Sequence, residues 1–352
     1  MQVGIQFFPD VGPETKSGRD YWQEALKLVG LVDRYHYCHV RTIEHYFLPY
    51  GGYSPNPMLF LAAAAQITKR ARLVTGAVLP AFNNPLKLAG ELGMLDALCD
   101  GRLDVGFARA FLPHEFAAFG VSLDESRARF EEGMEQVRRL LEEVNVTAEG
   151  RFHSFSNITS LPRPTQLPRP PFYVAALASR ESFERAGTMG HGIMAIPMAG
   201  GAMRDLLDAY RAAWTKAGHP GRGAVMLAFH MFCHESQAEA ERLAREPLNR
   251  YLRSLVQAAS EWQTGTASAD YAGYDKVIEA LSREDFDTQV AKGAAWIGTP
   301  EHIVETIHRY NDQVGGFDIA SVQVNFNDMP LVEAEASMRL FGDKVLPRVP
   351  RL

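Results

Sequence analysis

The chain has 352 residues, 46% hydrophobic and 22% charged, with a formal net charge of −6. That balance supplies a sizeable core and gives no electrostatic reason to expect binding to nucleic acid or anionic membranes. Three scattered cysteines (Cys38, Cys99 and Cys233) argue against a disulfide framework. With no basic-then-apolar leader, and no apolar run longer than "MLFLAAAA", the expectation is a cytoplasmic protein without membrane spans.

Strand-like and helix-like runs alternate along the chain. "VGIQFF" (residues 3–8) precedes an amphipathic stretch over 20–32. "CHVRTI" (38–43) precedes a helical pattern over 57–67, and "ARLVTGAVL" (71–79) one over 86–98. "LDVGF" (103–107) is followed by 126–143, and "FYVAA" (172–176) by 179–189. "GIMAI" (192–196) leads to 203–217, "AVMLAFHMF" (224–232) to 237–255, and "IASVQV" (319–324) to 331–341. Eight such units in strict alternation predict a parallel sheet with right-handed crossovers, closed as a (β/α)8 TIM barrel rather than opened as a doubly wound sheet. Two segments fall outside the repeat. Residues 145–171, rich in Pro, Ser and Thr, read as a short hairpin. Residues 257–298 hold "GTASADYAGYDK", a mobile lid by composition, and then the helix-like "VIEALSREDF". No linker interrupts the chain, so residues 1–352 read as a single domain.

A barrel of this kind presents its chemistry at the C-terminal ends of its strands. Glu44, His45 and Tyr46 follow the second strand, and Arg109 follows the fourth. Ser179 and Ser182 follow the fifth, and residues 75–78 close the third. An imidazole changes charge near neutral pH and suits proton transfer, although a lone histidine is more often structural. Glu44 either orients His45 or satisfies backbone groups of a neighbouring strand. Tyr46 either donates to a substrate or packs at the rim. "ALASRESFERAG" reads as a phosphate-binding helix start or as a plain serine cap. Arg109 presents a fork of donors to that phosphate or pairs with Asp104 or Glu115. His114 and Glu115 are equally well explained by surface polarity. Neither a Walker A loop nor a dinucleotide glycine fingerprint is present.

The stretches "RTIEHYF", "SPNPMLFLAAAAQITKRARLVTGAVLPAFNNPLKLAGELGMLDALCDGRLDVGFARAF", "PFYVAALASRESFERAG" and "AAWIGTPEHIVETIHRY" resemble the bacterial luciferase-like family of flavin-dependent monooxygenases. The resemblance implies a TIM barrel that uses reduced FMN and molecular oxygen to oxygenate a small organic substrate through a flavin peroxide, by hydroxylation or Baeyer–Villiger oxidation. It implies His45, Glu44 and Tyr46 as catalytic positions. Arg109, Ala176, Ser179 and Ser182 fall at the flavin phosphate, and Thr75 and Gly76 at a non-proline cis peptide beneath the flavin ring. It further implies a homodimer formed by the helices over 57–67 and 86–98, and, with no nicotinamide motif, a separate flavin reductase as transient partner. Ala108 stands where light-emitting members carry a reactive cysteine. Leu177 and Ala178 replace polar residues of the phosphate turn, and Pro197 replaces an aromatic, so light emission is not expected. Two rival readings share the fold: a deazaflavin-dependent dehydrogenase, and a non-catalytic flavin-binding protein. No metal site is expected.

Overall fold

A computed structural model describes residues 1–349. In chain order the elements are β1 (Gln2–Phe7), α1 (Gly18–Val29), β2 (His39–Thr42), α2 (Pro57–Ile67), β3 (Arg72–Val78), α3 (Pro85–Leu98), β4 (Leu103–Ala108), α4 (Pro113–Phe119) and α5 (Ser126–Glu142). The hairpin β5 (Val146–Glu149) and β6 (Ser154–Ile158) follows, then β7 (Phe172–Ala175), α6 (Arg180–Thr188), β8 (Gly192–Ala195), α7 (Gly200–Lys216) and β9 (Val225–Cys233). The chain continues through α8 (Gln237–Ala258), α9 (Tyr274–Leu281), α10 (Phe286–Ala291), β10 (Ala295–Gly298), α11 (Pro300–Gln313), β11 (Ile319–Gln323) and α12 (Leu331–Lys344).

Eight parallel strands, in the order β1-β2-β3-β4-β7-β8-β9-β11, close into a barrel through the β8–β9 and β11–β1 pairings. The eight strand-like runs of the sequence are these eight strands. Strict alternation, however, omits β10 and α11, which lie within and just after the stretch read as an insertion. The nine-residue β9 outruns the four-residue β8. Its last residues, His230 to Cys233, pair with β10 instead, so a ninth strand satisfies backbone groups that the barrel seam leaves open. The 145–171 stretch holds the antiparallel β5–β6 hairpin, as its turn-rich composition suggested.

Helix starts follow local chemistry. Asn56, Asn84 and Thr299 each accept a backbone N–H from the first turn of the helix they cap, and a proline occupies the next position in all three. Side chains alternate between the helix layer and the barrel interior. Outward, Phe229 stacks on Trp296 at 4.2 Å and Phe7 meets Phe60 at 5.2 Å. Inward, Val74, Tyr173, Met194 and Met226 form an apolar plug near the N-terminal ends, beside the Arg72–Asp104 ion pair at 2.6 Å. Toward the C-terminal ends the interior positions become small or polar, among them Gln6, Arg41, Gly76, Gly106, Ala175 and Ala228. The site described below therefore sits above a solid floor. All three cysteines are free, and among the described residues no helix is long and apolar enough to cross a membrane.

Candidate active site

Strand register places the candidate residues side by side. Thr42 of β2 lies opposite Thr75 of β3, and Ala108 of β4 lies opposite Ala175 of β7. Chain leaving β2 toward His45 therefore emerges beside the Gly76 segment, and Arg109 emerges beside Ala176, all on one rim of the barrel. His45 is buried, its ring within 5.7 Å of Phe8, 5.6 Å of Tyr50 and 6.0 Å of Phe111. Its Nδ1 lies 3.0 Å from Oε1 of Glu115, which also accepts the Tyr46 backbone N–H at 2.8 Å. An oxygen already accepting one N–H takes Nδ1 as a second donor, which leaves the Nε2 lone pair available. Among the described residues no hydrogen bond engages Nε2. Glu115 is fully buried, and among the described residues its Oε2 has no partner. A buried carboxylate joined to a histidine is a proton-handling pair with its base atom free.

Glu115, not Glu44, is thus the carboxylate on His45. Glu44 accepts from the Leu79 backbone N–H at 3.1 Å, from Asn83 Nδ2 at 2.8 Å and from the Tyr46 hydroxyl at 2.5 Å. It ties the end of β2 to the chain after β3, the second of the two roles its sequence position allowed. Burial pushes its carboxyl up to about 7, outweighing the three donors that pull the other way. Tyr46 spends its hydroxyl on Glu44 and lays its ring against Phe119 at 4.8 Å. His114, which surface polarity explained as well as a catalytic-face role did, approaches the Tyr46 carbonyl at 3.3 Å. Thr75 is fully buried, donating to the Gly106 carbonyl at 3.1 Å and accepting its N–H at 2.9 Å, so its side chain fastens β3 to β4. Gly76 precedes Ala77 through a cis peptide bond, and its carbonyl accepts from Arg41 at 2.9 Å. A Cβ at Gly76 would fall 1.8 Å from Arg41 Nε, so only glycine fits there.

Arg109 pairs with neither Asp104 nor Glu115. Among the described residues no carboxylate forms an ion pair with it, and its buried Nη1 has no hydrogen-bond partner. Its guanidinium lies 4.3 Å from the ring centre of Tyr271. Tyr271 belongs to the 257–298 segment. The Tyr271 hydroxyl donates to the Ala110 carbonyl and Trp262 Nε1 to the Phe111 carbonyl at 2.8 Å, so two aromatics grip the chain next to Arg109. Ala176 donates its N–H to the Met194 carbonyl at 2.9 Å. Ser179 caps α6, its Oγ accepting the Ser182 N–H at 3.4 Å. No hydrogen bond joins Arg109 to Ser179 or Ser182. The serine cap accounts for Ser179 locally, and Arg109 carries the stronger sign of an absent anion.

The residues present fit a flavin mononucleotide. An orphaned buried guanidinium donor stands ready for a phosphate. Beside it, the interior positions Gly76, Gly106 and Ala175 carry little or no side chain, with the Arg41 side chain lying against Gly76 and that of Met194 against Gly106. Among the described residues no cluster of three His, Cys, Asp or Glu side chains is arranged to hold a metal ion.

The family model described as luciferase-like monooxygenase matches residues 1–315. A trigonelline monooxygenase oxygenase component from Acinetobacter baylyi is 31% identical over 237 residues, covering 66% of this chain and 65% of that protein, less than two thirds of its length. The crystal structure of the monooxygenase RslO1 from Streptomyces bottropensis superposes with a TM-score of 0.89 at 42% identity, covering 99% of this chain and all of that one. The oxygenating constituent of 3,6-diketocamphane monooxygenase from Pseudomonas putida, solved with FMN, shares the fold at 21% identity, with a TM-score of 0.84 over 100% of this chain and 99% of that one. A match over nine tenths of the sequence, on a barrel whose rim carries a buried histidine–glutamate pair and an arginine with no carboxylate partner among the described residues, places the chain in the luciferase-like monooxygenase family of flavin-dependent oxidoreductases.

Proposed function

We propose that the protein uses reduced FMN and molecular oxygen to add one oxygen atom to a small organic substrate, by hydroxylation or a Baeyer–Villiger insertion. The observation that carries this reading is the His45–Glu115 pair at the barrel rim, 3.0 Å apart with Nε2 free. The flavin supplies electrons and activates oxygen when bound. The chain's own residues do the rest. Arg109 holds the phosphate, together with the α6 start at Ser179 and Ser182 and with Ala176 at the adjoining strand end. The Gly76–Ala77 segment supports the ring, with Thr75 fixing that strand to its neighbour. His45 takes or returns a proton at Nε2, and Glu115 steadies the imidazole in either charge state. Glu44 and Tyr46 set the height of the loop carrying His45. The aromatic surround of Phe8, Tyr50 and Phe111 keeps water away from the reacting atoms.

Two partners follow from the same reading. The chain has no nucleotide-binding glycine motif for a nicotinamide, so a separate reductase delivers the reduced flavin. Helices α2 and α3 expose Leu59 at 73% and Met94 at 56%, with Ile67 and Leu98 also exposed, an apolar face suited to a second copy of the chain. Three free cysteines fit a reducing cytoplasm. The rival dehydrogenase reading requires a longer phosphodiester tail to be gripped as well. The non-catalytic reading leaves the buried His45–Glu115 pair without a purpose.

The test is a panel of terpenes, cyclic ketones and N-methylated pyridines, incubated with protein, chemically reduced FMN and 18O2, and analysed by mass spectrometry. One 18O atom per product, dependent on both reduced FMN and protein, is the expected result. Substrate consumption without oxygen, driven by reduced deazaflavin, is the contrary one.

A further inference from the structure

Half-buried side chains mark where the barrel mouth is open. On β9, Ala228 and His230 share the inward face with Met226 of the plug, and Leu227, Phe229 and Met231 face outward. The outward three are shut off from solvent, whereas Ala228 and His230 are half-buried. At His230 the strand has a neighbour on each side, Ala295 of β10 and Gln323 of β11. Its exposure therefore comes from the barrel interior and not from a sheet edge. Ala108 of β4 and Ala175 of β7 are half-buried in the same way, while Gln6 and Arg41, inward on β1 and β2, are buried. The accessible space thus runs along β4, β7 and β9, with Arg109 on the β4 side of it and His230 on the β9 side.

The His230 imidazole faces that space with its nitrogens unused. Among the described residues no hydrogen bond engages either of them, and Nε2 is buried without a partner. Tyr251 of α8 meets the ring edge-on at 4.4 Å, and Phe326, just after β11, does so at 5.3 Å. Two aromatics therefore fix the ring without occupying its polar atoms. Burial holds the imidazole down at about 3, so at neutral pH it is uncharged, with one N–H to donate and one lone pair to accept. A polar group left unpaired inside a protein is costly, and a ligand that supplies the partner recovers the loss. Tyr251 also meets Phe8 at 5.6 Å, and Phe8 meets His45 at 5.7 Å, so one aromatic wall joins His230 to the His45–Glu115 pair.

We propose that His230 is a substrate-binding residue, which takes the hydroxyl or keto oxygen of a neutral aromatic substrate whose ring lies along the Phe8–Tyr251 wall. The inference rests on the monooxygenase reading above and adds the class of substrate. An uncharged imidazole has nothing to offset the charge of a carboxylate or sulfonate, whereas its N–H and lone pair match an oxygen that accepts or, as a hydroxyl, donates. The aromatic wall favours a flat ring over a flexible chain.

The test is equilibrium dialysis of 2-naphthol, naphthalene and 2-naphthoate against wild type, His230→Phe and His230→Gln, without flavin and with oxidised FMN, each variant checked for folding by circular dichroism. Wild type is expected to hold 2-naphthol roughly tenfold more tightly than either other probe. His230→Phe, which keeps a ring, brings 2-naphthol down to the level of naphthalene and leaves naphthalene unchanged; His230→Gln, which keeps a donor and an acceptor, recovers part of the difference. An unchanged preference in folded His230→Phe, or equal loss for both compounds, overturns the proposal. Should the variants fail to fold, the wild type decides alone. Diethyl pyrocarbonate acylates neutral imidazoles that it can reach, and peptide mapping must then show His230 modified in the free protein and protected by 2-naphthol but not by naphthalene; any other pattern overturns the proposal. If no probe binds while other compounds still gain 18O, the subsite fails and the monooxygenase reading stands. If nothing in the panel is oxygenated, that reading fails whatever the probes do.

Discussion

Replacing Glu115 with Gln separates a proton-handling pair from a structural one. Glu115 Oε1 receives His45 Nδ1 at 3.0 Å and the Tyr46 N–H at 2.8 Å in a fully buried setting. Gln keeps the size and one acceptor oxygen, so Tyr46 retains its bond and the fold survives, but the negative charge beside the imidazole is lost. A charge-assisted hydrogen bond contributes about 1.5–3 kcal/mol. At about 1.4 kcal/mol per factor of ten in rate, turnover to oxygenated product falls by roughly 10- to 140-fold. The melting temperature changes little, and more hydrogen peroxide is released per reduced FMN consumed. Glu115→Ala, by contrast, also removes the acceptor of a buried N–H, costs about 1–3 kcal/mol of stability and lowers the melting temperature. The assay is product and peroxide measured together by mass spectrometry and a coupled peroxidase reaction, on protein of known melting temperature. A folded Glu115→Gln variant with wild-type turnover and coupling would refute the pairing as a catalytic device.

Arg109→Ala should weaken reduced FMN binding by about 1.5–3 kcal/mol while leaving riboflavin, which has no phosphate, unaffected; Arg109→Lys should recover only part, since a point charge lacks the planar fork. Anaerobic fluorescence titration reads both, and equal losses for the two flavins would move Arg109 away from the phosphate. For Glu44 burial holds the folded carboxyl at about 7, above its ordinary value of 4.5. A raised pKa means the folded state holds the proton longer, so this contribution to stability is full below about 4.5 and is lost as pH rises toward 7. Wild type should therefore lose stability relative to Glu44→Gln across that window in urea titrations, and a pH-independent difference would contradict the assignment. Glutamate at both Leu59 and Met94 should halve the mass measured by light scattering without unfolding the barrel; an unchanged dimer would place the interface elsewhere.

The barrel was legible because its strands are short apolar runs separated by helices with plain start signals, such as the Asn-Pro pairs at 56–57 and 84–85. β10 escaped because four residues, "AWIG", carry too little pattern to stand out from a loop-rich stretch, and their partner is the tail of β9 rather than a barrel neighbour. Strand-end position singled out His45 and Arg109 as candidates, and the family resemblance supplied the roles proposed for them. Glu115 was not singled out, because its partner lies 70 residues away in sequence and its helix start looks like ordinary surface polarity. The one signal present was a Glu running straight into the apolar "FAAF" of "LPHEFAAF". The adjacency of Glu44 to His45 misdirected in the other way: neighbouring residues on an extended chain point apart, so the second carboxylate was free to serve the next strand. His230 sits within the "AVMLAFHMF" stretch, but sequence cannot show that an imidazole has no partner.

The measurement that bears most directly on the central claim is an anaerobic competition between reduced FMN and reduced deazaflavin for the wild-type protein. The proposed monophosphate site at Arg109 and ring site at the Gly76 segment require reduced FMN to bind more tightly. Tighter binding of the reduced deazaflavin would contradict the account and move the protein from oxygen chemistry to hydride transfer.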